Sequence, residues 1–376
     1  MKERNYGIDL LRMVSMLMIV VLHLLRFGGV YSSDSPAINR MIISIIDMCC
    51  ICGVDCFAII SGYVGLNARH RYSSIINLWF LVFFYSVLFS ITFFIATPDR
   101  VGLDSLVKSF FPLLSKQHWY FSAYFGLFFI MPIINKGIMM LSDIQLRNIT
   151  LCLIMIFSVL STLGNFWNKE SLFNVEFGYS VLWLMVLYIV GAFLKRSSNI
   201  FVSKHKTRNW MIVFLIGVTL TVASKYIIDI ISKIFGLNNS GGELFTYNSP
   251  TVLLEAVGLF MAFANLKIPY RLIKFIAYCA PSAFSVNIIH ANNLVLTILF
   301  AGSFAFINKL PFYVLPFVIV VTALAIYLIC TLIDILRRYL FKLIRVNQFS
   351  IWLEKSGHTA LKRIPNKYKK EDNESE

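Results

Sequence analysis

Arg12 and His23 bracket an otherwise aliphatic run, RMVSMLMIVVLH. Hydrocarbon penalises both groups, and both can do chemistry. Imidazole, with an unperturbed pKa of about 6.5, takes up and returns protons near neutrality, while guanidinium stays charged and grips oxyanions. Eleven positions separate them, which at roughly 100° per residue falls within ~20° of three full helical turns. They therefore share one helix face, about 16 Å apart along its axis. That face should look onto protein or a wet cavity, since an ionisable side chain deep in a span costs of order 2.5–3.5 kcal/mol on insertion scales.

Other polar residues interrupt apolar runs. Asp9 stands three before Arg12, close enough to neutralise it on one helix. His23 has only Arg26 nearby, which would repel its charged form. In the next apolar stretch Asp47 and Asp55 are eight apart, about 80° in rotation, so they do not form a narrow stripe. FAIISGYVG ends that stretch with Ser61 and Gly62, small enough for close helix approach. Beyond it, NARHRYS places Arg69, His70 and Arg71 at a membrane surface, suited to setting topology or meeting a phosphate-bearing ligand. KQHWYFSAYFG brings His118, Trp119, Tyr120 and Tyr124, which taken alone read as an interfacial aromatic belt. VNIIHANN sets Asn287 and His290 on one face, near the middle of another run. No serine elbow, zincin helix, Walker loop or dinucleotide fingerprint occurs in a suitable context. The seven cysteines fall in apolar runs and read as small buried residues, with no metal site implied.

The elements that carry these residues are membrane helices. The 376-residue chain is 58% hydrophobic and 14% charged, with a mean hydropathy of +0.74, too little charge to cover a soluble protein. Stretches able to cross ~30 Å of hydrocarbon occur near Ile8–Phe27, Met41–Leu66, Ile75–Ala96, Trp119–Met140 and Ile149–Leu163. Five more follow near Ser180–Leu194, Trp210–Phe235, Thr251–Leu266, Phe275–Phe300 and Phe312–Leu340. The expected fold is therefore all-α and polytopic, with about ten transmembrane helices. With cytoplasmic termini, 24 Lys and Arg fall inside and nine outside, so the net charge of +15 is a topology signal and needs no nucleic acid. Lys2 and Arg4 resemble the start of a signal peptide, yet no A-x-A-like site follows, so the first span is expected to be retained. Residues 1–344 read as one integral membrane domain. Residues 345–376 read as a basic, then acidic cytoplasmic tail in which Ile351, Trp352, Leu353, Ala360, Leu361 and Ile364 could form an amphipathic surface helix before a disordered end.

Taken together, IDLLRMVSMLMIVVLH, GVDCFAIISGY, HWYFSAYFGLFFIMPIIN, SPTVLLEAVGLFMAF and FSVNIIH, in this order, resemble the acyltransferase 3 family of multi-pass membrane enzymes. The resemblance implies an O-acyltransferase of the plasma membrane. It would move an acetyl or other short acyl group from cytosolic acyl-coenzyme A to a hydroxyl of a cell-surface polysaccharide or its lipid-linked precursor, with acetyl-coenzyme A as co-substrate and no bound cofactor. His23 would act as general base or transient acyl carrier and Arg12 as electrostatic partner of the donor. Arg69, Arg71, Ser61, Trp119, Asn287 and His290 are the expected substrate-binding residues, and Asp9 and Asp55 supporting ones. Where relatives often carry R-x-x-R after the second span, this chain has Arg69, His70 and Arg71. A polytopic carbohydrate or lipid transporter is the alternative, although no second copy of the R-x10-H pattern marks the repeat that transporters often show.

Overall fold

The computed structural model describes residues 4–115, 117–168, 170–198, 207–236 and 241–363. Among them the regular structure is helical and no strand occurs, as suits a backbone whose polar groups must be satisfied within lipid. Helix α1 (Tyr6–Phe27) starts at Asn5, whose side chain accepts from the Gly7 and Ile8 N–H groups at 2.9 and 3.2 Å. It is followed by α2 (Ala37–Ile51), α3 (Gly53–Gly65), α4 (Tyr72–Ala96), the short α5 (Leu103–Ser109) and α6 (Trp119–Met140). Next come α7 (Asp143–Ile154), α8 (Ser161–Asn168), α9 (Val181–Arg196), α10 (Thr207–Phe235) and α11 (Pro250–Ala264). The described chain closes with α12 (Tyr270–Cys279), α13 (Ala283–His290), α14 (Leu315–Leu343) and α15 (Val346–Arg363).

Every stretch expected to span carries helix, but not all are long enough. Eight segments among the described residues are long and apolar enough to cross a membrane, or nine if α9 is joined to the short turns of Leu172–Gly178 that meet it at 78°. Helix α9, with 16 residues, counts only with those turns, and the remaining difference from ten lies in α11, whose 15 residues reach only about 22 Å. Protein encloses it: Val252, Ala256 and Phe260 are fully buried. The expected second span is also two helices, broken at Cys52. A Cβ on Gly53 would stand 2.8 Å from the Ser15 carbonyl oxygen, so α3 begins hard against α1.

Helix α1 is the hub, packing on α2, α3, α11, α12, α13 and α14. Close approach elsewhere depends on small residues. A Cβ on Gly62 would fall 1.9 Å from the Tyr188 carbonyl oxygen and one on Gly191 2.1 Å from that of Ile59, which lets α3 and α9 touch backbone to backbone.

The Asn5 amide donates to the Ala264 carbonyl at 2.9 Å, tying the start of α1 to the end of α11. On the same face, α15 lies along α4, and the Glu354 carboxylate accepts from the Tyr72 and Ser73 N–H groups at 2.9 and 3.2 Å. Glu354 thus caps α4 from nearly 300 residues away, with Ser350 donating to the Asn77 side chain alongside. Phe349, Ile351 and Trp352 point outward from this helix, Trp352 at 58% exposure. Ile364 and the rest of the expected tail lie outside the described residues.

Candidate active site

Three cavities follow the Arg12–His23 face of α1 in file. The first, about 460 Å³, opens beside the start of α1 and is lined by Arg4, Asp9, Arg12, Tyr63, Asn67 and Lys195. The second, about 230 Å³, shares Arg12 and adds Ser61, Tyr124, Phe57, Tyr120 and Phe284. Those last three also line the third, about 30 Å³, together with Met16, Ile19, His23, Trp119, Tyr247 and Asn287. Arg12, Met16, Ile19 and His23 follow an i, i+4, i+7, i+11 spacing, so a single helical stripe supplies one wall throughout. The Phe57, Tyr120 and Phe284 rings form the neck between the second and third cavities.

The first cavity is cationic. Asp9 accepts from Arg12 at 2.6 Å and also from Arg4, so one carboxylate serves two guanidinium groups. Adding Lys195 leaves three cations against one carboxylate in the lining, an arrangement that favours a multiply anionic ligand. Lys195 also stands over the Tyr63 ring at 4.3 Å. Arg69 and Arg71 are exposed and absent from this lining; their loop contributes Asn67 and Ala68 instead. His70 turns inward, its ring 4.1 Å from that of Phe128. Lys204 and Lys206 lie outside the described residues.

At the far end the hydrogen bonds select a tautomer. The Val286 carbonyl can only accept, so His290 Nδ1, 2.6 Å away, carries a proton and donates it. Neutral His290 then accepts at Nε2, and His23 Nδ1, 2.9 Å from it, must be the donor. The lone pair of His23 is left on Nε2, which has no hydrogen-bond partner among the described residues. His290 itself is 1% exposed and stands behind His23 rather than in the cavity wall. Arg26, one turn beyond, is engaged by Asp47 through two contacts of 3.1 Å.

Ser61, Trp119 and Asn287 line the cavities, as a substrate-facing role requires. Trp119 meets the tilted Tyr179 ring at 4.6 Å and stacks with Tyr247 at 6.0 Å. Asp55 does not join them: it is fully buried behind α3, where Trp183 Nε1 donates to it at 3.2 Å. Tyr120 has a buried hydroxyl with no partner among the described residues and lines both upper cavities. HWYFSAY contains it, but helix periodicity could not separate it from an interfacial belt. Nothing in the local sequence marks Tyr247.

No curated protein and no solved structure matches the chain. A family model described as an acyltransferase domain, acyltransferase 3, matches residues 5–333, the interval containing every lining residue named above except Arg4. The chain is a polytopic membrane protein of the acyltransferase 3 family.

Proposed function

We propose that this acyltransferase is a plasma-membrane O-acetyltransferase, taking acetyl from cytosolic acetyl-coenzyme A and giving it to a hydroxyl of a surface polysaccharide or its lipid-linked precursor. The observation that carries this reading is the file of cavities from a cationic mouth to the unpartnered Nε2 of His23. The charged end of the donor suits the first cavity, where Arg4, Arg12 and Lys195 meet phosphate groups. Its narrow thioester arm follows the α1 stripe through the second, over roughly the 16 Å that separates Arg12 from His23.

Chemistry then falls at the neck. His23 Nε2 removes the proton of the acceptor hydroxyl as its oxygen attacks the thioester carbonyl. Tyr120 donates to the oxyanion that forms. When the intermediate collapses, the C–S bond breaks, and the thiolate leaves with the proton returned by His23. The products are the O-acetyl ester and free coenzyme A. His290 acts through His23, holding the tautomer that exposes Nε2; it is a positioning residue. Direct proton transfer accounts for the geometry without an acyl-histidine intermediate.

Proton NMR of surface polysaccharide from cells with the wild-type protein, with His23→Ala and without the protein tests this reading. O-acetyl signals should be present in the first and missing from the other two. Equal signals in all three would remove the assignment.

A further inference from the structure

A fourth cavity, of about 460 Å³, lies on the face opposite the cationic mouth and is lined by Ser90, Ser105, Lys108, Gln117, Asn292 and Asn293, among others. Its place follows from connectivity. Helix α4 starts at Tyr72 on the mouth side, so Ser90 is some 27 Å along it. Gln117 precedes α6 and Asn292 follows α13, both at the level where α1 ends. Gln117 is two residues from Trp119, in the wall of the His23 cavity, and Asn292 two from His290, which holds His23.

The lining is rich in neutral groups that both donate and accept: hydroxyls and carboxamides. Among the described residues its one cation, Lys108, is paired with Asp104 at 3.1 Å. Gln117 Oε1 is buried and unmet by any donor among the described residues, a cost that a ligand hydroxyl would relieve. Ser90 is 2% exposed and so stands at the cavity floor. A hollow of this volume lined mainly by neutral hydrogen-bonding groups fits a polyhydroxylated ring, whose adjacent hydroxyls each need a donor and an acceptor. A lipid tail would leave these groups unpaired.

We propose that this cavity is the glycan-binding subsite of the acceptor, holding the sugar residues next to the one acylated at His23. The proposal rests on the acyltransferase reading for its role but not for its detection, because binding can be measured with the chemistry disabled. The probe is a mild-acid hydrolysate of the host cell's own surface polysaccharide, sized to three to six sugars, titrated calorimetrically into His23→Ala protein in nanodiscs without donor. Saturable binding is expected. Ser105→Trp, which fills the cavity from an exposed loop helix, should weaken it at least tenfold, and Asn293→Ala about threefold to fivefold. Affinity for acetyl-coenzyme A should stay within twofold in both, which also reports an intact fold. Absence of hydrolysate binding to His23→Ala, or binding that Ser105→Trp leaves unchanged, overturns the proposal. So does displacement of the oligosaccharide by short-chain phosphatidylglycerol with loss on Lys108→Gln, which would make the cavity a headgroup site. Cavity-dependent binding combined with no transfer by the wild-type enzyme would keep the subsite and refute the acyltransferase reading instead.

Discussion

Two ion pairs in this molecule are near twins in local geometry and opposite in setting. On α1, Arg12 reaches Asp9 one turn back at 2.6 Å; on α14, Arg337 reaches Asp334 one turn back at 2.7 Å. The first has an arginine side chain 31% exposed, facing two cavities. The second is sealed, with Arg337 10% and Asp334 0% exposed, and Tyr85 adds a hydroxyl contact of 3.1 Å. Arg337 finishes its shell over the Phe341 ring. An ionisable pair within a membrane helix is therefore not a site on its own; empty volume beside it distinguishes a group that can meet a ligand from one that holds helices together.

His23→Ala should lower the transfer rate by ~10²–10⁴, the usual range for a general base, with expression and insertion near normal. Radiolabelled acetyl transfer and detergent gel filtration report the two properties separately. Next, Arg12→Ala and Arg337→Ala should fail differently. Arg12→Ala is expected to lose about 10²-fold in activity while remaining folded, with Arg12→Lys partly restoring it, because lysine keeps the charge but not the planar fork. Arg337→Ala should cost about 3–5 kcal/mol of stability by stranding Asp334 in protein, seen as lost monodisperse protein. Matching behaviour of the two variants would erase the distinction.

A smaller contrast concerns orientation. His290→Ala should reduce kcat about tenfold or more with little change in donor KM, and should alter the pH profile of kcat, since His23 is then free to place its proton on either nitrogen. An unchanged profile would leave His290 with packing alone. The smallest effect compares arginines at the mouth. Arg4→Gln with Lys195→Gln should raise the acetyl-coenzyme A KM about threefold to tenfold at low salt and less at high salt. Arg69→Gln with Arg71→Gln should change it by under twofold, because their side chains stay outside the lining; a larger effect from the second pair would restore them as the donor contact.

Periodicity was enough to find the α1 stripe, since eleven residues close nearly three turns whatever surrounds them. It was also enough for the helical fold, because long apolar runs have few alternatives in lipid. Relations between distant segments were not legible. The 2.9 Å contact of His23 with His290 joins helices separated by most of the chain, and no local pattern encodes it. Asp334 and Arg337 sit in a long apolar run that reads as an ordinary span, and the break at Cys52 has no proline or glycine pair to announce it. Arg69 and Arg71 show the converse: two charges in a suitable loop suggest a ligand contact, and whether exposed side chains border a cavity is not written in local sequence.

The Glu354 cap has a consequence in time. A helix that begins at Tyr72 receives the carboxylate closing its first turn from a residue synthesised 282 positions later. The loop of residues 66–71, which borders the cationic mouth through Asn67 and Ala68, is therefore anchored at its downstream end only once translation has passed residue 354. A nascent chain can insert its early helices well before that anchor exists. The finished mouth thus waits on the synthesis of α15, and ribosome-stalled chains ending before residue 346 would carry α4 with its start untied.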